Sequence, residues 1–251
     1  YHKTMTYLLE NMYNEYFGKS NVFKIYNAAT SGVDSEYQKL FLQKNIDNFN
    51  LDYLNLFIYL GNDIITKNKI KNVYNNNIIR KIISWSLGIL QNNSELYSFI
   101  YYRIQSNKSI EHGNYNLLPQ PFDKQPFSLS GNIFNKEYSD YIDNAFKTFF
   151  NNINAINEIC NKNHIKLTLY IIPTREQVDS KKLENILNIH NINQGTIEIK
   201  KPNNILKEFF DKQNIKYFDL TDTLSHANKY KDTYFKFDPH WNINGNEVIA
   251  K

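Results

Sequence analysis

The sequence contains a single cysteine, Cys160, so an intrachain disulfide is impossible. Cysteine usage therefore does not indicate whether the protein resides in an oxidising or a reducing compartment. No apolar run approaches the roughly eighteen residues that a membrane-spanning helix needs, and no signal peptide is visible. Charge of one sign is not concentrated either. The 29 Lys and Arg residues nearly balance 25 Asp and Glu, for a net charge of +4, without a run of five or six like charges. Nucleic-acid binding, which needs a basic stripe, is therefore unsupported.

What is present is the composition of a globular α/β protein. Hydrophobic residues make up 41% and aromatic residues 15% of 251 residues, enough for one sizeable domain or two small ones. Strand and helix patterns alternate, which predicts a parallel sheet covered by helices on both faces, in three layers. We predict strands over residues 22–28, 54–60, 165–172 and 215–220, and helices over residues 4–17, 36–49 and 138–163, with a further helix opened by Pro202.

Residues 64–137 interrupt this alternation. Helical patterns and three prolines there predict a helical insertion packed on the edge of the domain. A lid, or a surface for a partner or a membrane, is the alternative. Because the sequence starts at Tyr1 and Lys251 falls inside a helix that has barely begun, we expect the chain to be part of a longer protein.

One motif near the end of the chain carries chemistry. Asp238 and His240 stand two residues apart on a turn stiffened by Pro239, and Asn242 then sits at the capping position of a terminal helix. An Asp that orients a His forms the base half of a nucleophile–His–Asp triad. The plain alternative is an ordinary Asp-Pro turn that happens to precede a His.

A second polar group follows the strand predicted over residues 54–60. Gly61, Asn62 and Asp63 come directly after this continuously apolar run, which suits a strand buried on both faces. Polar side chains at the carboxyl end of a buried parallel strand are where open α/β sheets place their ligand sites.

Together these motifs resemble the SGNH, or GDSL-type, hydrolase family. Residues 27–32 (Asn-Ala-Ala-Thr-Ser-Gly) resemble its second block, residues 60–63 (Leu-Gly-Asn-Asp) its third, and residues 238–242 (Asp-Pro-His-Trp-Asn) its last. Residues 171–178 also look like a strand-end segment of a bacterial branch that resembles polysaccharide O-acetylation proteins. The resemblance covers essentially the whole chain and implies a single domain with the flavodoxin-like three-layer α/β/α sandwich fold.

The chain departs from the family pattern in three places. Leu60 replaces the usual glycine of the third block, and a single residue separates Asp238 from His240, as in the branch just named. The first block, Gly-Asp-Ser, is absent from residues 1–251. We therefore expect its strand and the nucleophilic Ser to precede Tyr1. Ser31 and Ser35 belong to the wrong block to act as the nucleophile.

The resemblance implies a site and a reaction. Asp238 and His240 would complete the triad, while Gly32 and Asn62 would form the oxyanion hole, without a cofactor or a metal. Indeed the six His residues show no metal-ligand spacing. The implied function is a serine-dependent esterase acting on a small acyl ester of a carbohydrate, an acetyl ester being one candidate.

Two alternatives stay open. One is O-acetyl transfer to a cell-surface polysaccharide by the same site, and the other is a catalytically inactive binding module. The implied partner is a small acyl ester or an acetylated glycan, with membrane association through residues before Tyr1 as an option. A nucleic-acid partner is not expected. The family favours a periplasmic, cell-envelope or secreted location.

Overall fold

A computed structural model describes residues 4–18, 23–30, 33–65, 133–189, 191–235 and 240–250. These residues belong to one compact unit, formed by residues 1–66 and 126–251. The architecture is mixed α/β. In chain order the elements are α1 (Met5–Tyr16), α2 (Ser35–Asn45), β1 (Tyr53–Tyr59), α3 (Asp140–Lys162), β2 (Lys166–Ile172), α4 (Arg175–Val178), α5 (Ser180–Ile189), α6 (Lys201–Lys212), β3 (Lys216–Asp219), α7 (Thr221–Asn228) and α8 (Ile243–Ala250).

The three described strands form one parallel sheet in the order β1-β2-β3. Leu56 of β1 lies opposite Leu169 of β2, and Tyr170 of β2 lies opposite Phe218 of β3. The predicted parallel pairing of these strands is thus confirmed. Since all three run the same way, the turns that follow β1, β2 and β3 emerge at one edge of the sheet.

One face of this sheet carries the main hydrophobic core. Leu169 and Ile171 of β2 pack there against α3, the longest described helix, with α2 and α6 on either side. Phe149 of α3 and Phe210 of α6 are fully buried. Cys160 also lies in this core, as its small apolar side chain suggested. The packed helices hold the strands in register, so the positions of the strand ends are set by the core.

The prediction of a strand over residues 22–28 is wrong for residues 23–28, which the structure shows as irregular backbone. Two main-chain N–H groups of this segment are bound by side chains of α1. Phe23 N donates to Asn14 Oδ1 at 3.0 Å, and Ile25 N donates to Glu10 Oε2 at 2.6 Å. A backbone whose donors are used by helix side chains has no ladder to join.

The prediction that β1 is buried on both faces is also wrong for its first half. Tyr53 and Asn55 are exposed, whereas Ile58 and the following Leu60 are buried. Successive side chains of a strand point to opposite faces, so Ile58 and Leu60 share the face that joins the core, whereas Tyr53 and Asn55 lie on the less covered face. The apolar run in the sequence could not distinguish this arrangement from full burial.

Helix boundaries follow local signals. Pro202 lies in the first turn of α6, as predicted. Asn242 caps α8, because its Oδ1 accepts from Asn244 N at 2.8 Å and from Gly245 N at 3.2 Å. Helices α4 and α5 were not predicted, although Thr174 and Gln177 have the spacing of a capping box. The predicted insertion over residues 64–137 lies outside the described residues except for 64–65 and 133–137.

Candidate active site

The turn after β1 is closed by a buried carboxylate. Asn62 N and Asp63 N both donate to Tyr59 O, at 3.3 and 3.1 Å, and Asp63 Oδ2 accepts from Tyr59 N at 2.8 Å. Asp63 is therefore turned inward against the end of the strand, while Asn62 is exposed at its tip. This arrangement presents the Asn62 side chain to solvent at the carboxyl edge of the sheet.

Asp63 is an unusual carboxylic acid. Burial raises its pKa to about 7, a bond from Tyr59 N opposes that rise, and the nearby Asp34 carboxylate adds to it. Asp34 caps α2, accepting from Tyr37 N at 3.1 Å, and it follows the predicted second block by two residues. Asp34 is thus one of the charged groups whose field acts on Asp63.

His240 lies beside the same turn. Its ring centroid is 6.0 Å from that of Tyr59, with 31° between the ring planes. The Tyr59 ring in turn lies directly on Gly61, where any Cβ atom would overlap it. Tyr59 thus contacts both the imidazole and the backbone that leads into Asn62. Through the Tyr59 ring, His240 lies near the turn that carries Asn62, although the two residues are far apart in sequence.

The segment that carries His240 is pinned at both of its ends. Phe235 N donates to His240 O at 3.1 Å, and Asn242 N donates to Thr233 O at 2.9 Å. Asn242 also donates through Nδ2 to Asp232 O and Tyr234 O, at 2.8 and 3.0 Å. The backbone around His240 is thus held at several points by its own neighbours.

The end of β2 contributes buried charges at the same edge. Arg175 and Glu176 open α4 and are both nearly inaccessible to solvent. Burial raises the pKa of Glu176, while its hydrogen bonds and the charge of Arg175 lower it. Tyr234 Oη donates to Pro173 O at 2.7 Å, which links this strand end to the segment before His240.

The carboxylate at the end of β3 belongs to a structural network. Asp219 forms an ion pair with Lys207 at 2.6 Å and accepts from Asn203 Nδ2 at 3.2 Å and Thr221 Oγ1 at 2.6 Å. Gln177 of α4 is joined to this network because its Nε2 donates to Oδ1 of the buried Asn203. Because Asp219 is engaged by Lys207, Asn203 and Thr221, it braces α6 and α7 against the sheet and is a poor candidate for catalysis.

Gly32 and Asp238, the other two predicted site residues, lie outside the described residues. A groove of about 460 Å³ near α8 is lined by eight residues that include neither Asn62 nor His240: Lys231, Asp232, Tyr234, Phe235, Asn242, Ile243, Asn244 and Glu247. In the described part of the chain, no cluster of three or more His, Cys, Asp or Glu side chains could hold a metal ion. No helix among the same residues is long and apolar enough to cross a membrane.

Sequence reasoning missed three participants at this edge: Tyr59, Arg175 and Tyr234. The position of Tyr59, three residues before Asn62 on an apolar strand, was a usable signal, because a strand-end aromatic lies where the site forms. The bonds from Arg175 to Phe235 and from Tyr234 to Pro173 span about 60 residues of sequence and left no local signal. Comparisons with family models, with curated proteins and with solved structures find no match to this chain.

Proposed function

We propose that the chain is the catalytic domain of a serine-dependent esterase of the SGNH type, which cleaves a small acyl ester of a carbohydrate. In this proposal the domain has the three-layer sandwich fold of that family. The main observation in support of this proposal is that the ring centroids of His240 and Tyr59 lie 6.0 Å apart at the end of β1. It brings an imidazole next to the turn that exposes the amide of Asn62.

The chemistry assigns one task to each group. A serine, which the resemblance places before Tyr1, attacks the ester carbonyl. His240 accepts the hydroxyl proton and later returns it to the leaving alcohol, while Asp238 orients the imidazole. Gly32 N and Asn62 Nδ2 donate to the oxyanion that develops on the former carbonyl oxygen.

The geometry around Asn62 suits an oxyanion donor. The bond from Tyr59 N to Asp63 Oδ2 fixes the backbone of the turn, so the main chain that carries Asn62 is in place before a substrate binds. The exposed position of Asn62 leaves room for a substrate carbonyl.

The direct test is reaction of the full-length protein with a fluorophosphonate probe, which labels activated serine nucleophiles, and with a p-nitrophenyl acetate-type ester. Wild type should be labelled and should hydrolyse the ester. His240→Ala should lose both properties. His226→Ala is the matched control, because His226 is exposed on α7 and contacts Tyr230 at 5.4 Å between ring centroids.

Asn62→Ala sharpens the test. Turnover should fall by about a hundredfold to a thousandfold with little change in KM, since the amide contact strengthens only in the transition state. Equal activity of His240→Ala and wild type would overturn the mechanism. An unlabelled, inactive wild type would favour the non-catalytic binding module, and assays with and without a glycan acceptor separate hydrolysis from acyl transfer.

A further inference from the structure

Residues 173–177, which directly follow β2, take no part in the proposed chemistry, yet they form a fixed platform. Thr174 N donates to Gln177 Oε1 at 2.9 Å, and Gln177 N donates to Thr174 O at 3.1 Å. Gln177 Nε2 also donates to Ile199 O at 2.8 Å. The first turn of α4 is therefore tied both to itself and to the chain that enters α6.

Two groups of this platform reach the segment that precedes His240. Pro173 O accepts from Tyr234 Oη at 2.7 Å in a fully buried contact. Arg175 Nη1 donates to Phe235 O at 3.3 Å. Tyr234 and Phe235 are adjacent, so two consecutive residues are held against the end of β2.

The same two residues are paired with the backbone at His240. Phe235 N donates to His240 O at 3.1 Å, and Tyr234 forms an antiparallel bridge with Trp241. Any displacement of Tyr234 and Phe235 from the platform is thus transmitted to His240 through main-chain hydrogen bonds. Such a displacement would change the distance between His240 and Tyr59, which lies on the neighbouring strand β1.

We propose that Tyr234 and Arg175 are positioning residues that fix His240 relative to β1. The inference rests on the proposed function, in which a general base must lie within hydrogen-bond reach of the nucleophile. Misplacement of such a group by about 1 Å can cost on the order of a hundredfold in rate. Neither side chain needs to touch the substrate for this effect.

Tyr234→Phe is the cleanest test, since it removes one hydroxyl and keeps the buried ring. Ser225→Ala is the matched control. Ser225 Oγ also donates to a main-chain carbonyl, Val178 O at 3.2 Å, but it ties α7 to α4 and not to the His240 segment. Both variants should melt a few degrees lower, about 2–4 °C.

Only Tyr234→Phe should change the site. We expect kcat to fall about tenfold with KM little changed, and the ring ¹H–¹³C signals of His240 to move. Arg175→Met should behave in the same way, whereas Arg175→Lys, which keeps a charged donor, should retain most of the turnover. Ser225→Ala should leave kcat and the His240 signals unchanged.

Equal kcat and identical His240 signals in Tyr234→Phe and Ser225→Ala would overturn the positioning role. The two proposals fail separately. If wild-type full-length protein cleaves no ester, the proposed function fails, and the His240 signals alone still decide whether Tyr234 and Arg175 hold the imidazole in place.

Discussion

Replacing Asp63 by Asn removes one titrating group from the turn that presents Asn62. The fold should be retained, because Asp63→Asn keeps a side-chain oxygen that can accept from Tyr59 N, the donor that Asp63 binds at 2.8 Å. What changes is the proton. Each pKa unit corresponds to about 1.4 kcal/mol. A rise from 3.8 to about 7 therefore amounts to about 4 kcal/mol between the two protonation states.

Whether stability rises or falls with pH depends on whether the folded or the unfolded protein binds the Asp63 proton more tightly. Between pH 4 and pH 7 the folded protein holds the Asp63 proton and the unfolded chain does not. The stabilisation that the folded protein gains by binding the Asp63 proton more tightly is thus fully present below about pH 4 and is lost as pH rises through about 7. Between pH 5 and pH 8 this single group should lower the free energy of unfolding of the wild type by about 3 kcal/mol.

Urea denaturation at pH 5, 6, 7 and 8, followed by circular dichroism, measures the effect. The stability of Asp63→Asn relative to wild type should increase by about 3 kcal/mol from pH 5 to pH 8, because all other titrating groups are shared. Asp222→Asn, at an exposed position in the first turn of α7, supplies the background of a surface carboxylate. Parallel curves for Asp63→Asn and wild type would refute the argument from burial.

A second arm tests the neighbouring charge. Asp34→Asn keeps the oxygen that caps α2 at Tyr37 N but removes a charge that raises the pKa of Asp63. The pH dependence of wild type should therefore weaken in Asp34→Asn while the helix cap is retained. An unchanged pH dependence would mean that Asp34 is not close to Asp63 in solution.

Three further outcomes are expected. Asn242→Ala should destabilise the protein by about 2 kcal/mol in urea denaturation, because α8 loses its cap and two main-chain carbonyls lose a donor; a change under about 0.5 kcal/mol would contradict the capping role. Asn203→Ala should cost about 3 kcal/mol in the same assay, since the buried Asn203 is bonded to Asp219, Thr221 and Gln177 and all three bonds are lost together; a neutral effect would show that the network is dispensable. The Cys160 thiol is buried, and burial raises its pKa to about 11, so it should react with a disulfide reagent at pH 8 only after unfolding; rapid labelling of the native protein would contradict its place in the core.

Local features of the fold were predictable because their causes lie within a few residues. The apolar period of residues 138–163 predicted α3, which the structure gives as Asp140–Lys162. Pro202 and Asn242 marked helix starts through the geometry of one turn. The parallel direction of β1, β2 and β3 followed from the helical crossovers between strands, which leave few other topologies.

Other features depended on contacts that no local pattern encodes. An apolar stretch at residues 22–28 suggested a strand, but Asn14 and Glu10 of α1 take up its backbone donors. The exposure of Tyr53 and Asn55 reflects the sparse cover on one face of β1, while Leu54, Leu56 and Ile58 on the other face join the core. In each case the sequence supplied the right residue types, and the neighbours in space decided what their backbone did.

The candidate site also combines local and long-range causes. Local strand and turn signals were enough to predict an amide after one strand, at Asn62, and an imidazole on a separate turn, at His240. That these two elements meet became clear from the packing of Tyr59 on Gly61 and beside His240. The tertiary structure also shows that Tyr234 and Arg175 tie the His240 segment to the end of β2. Contacts between residues about 60 to 180 positions apart arise from how the sheet and its helices pack, and that packing is a property of the whole core.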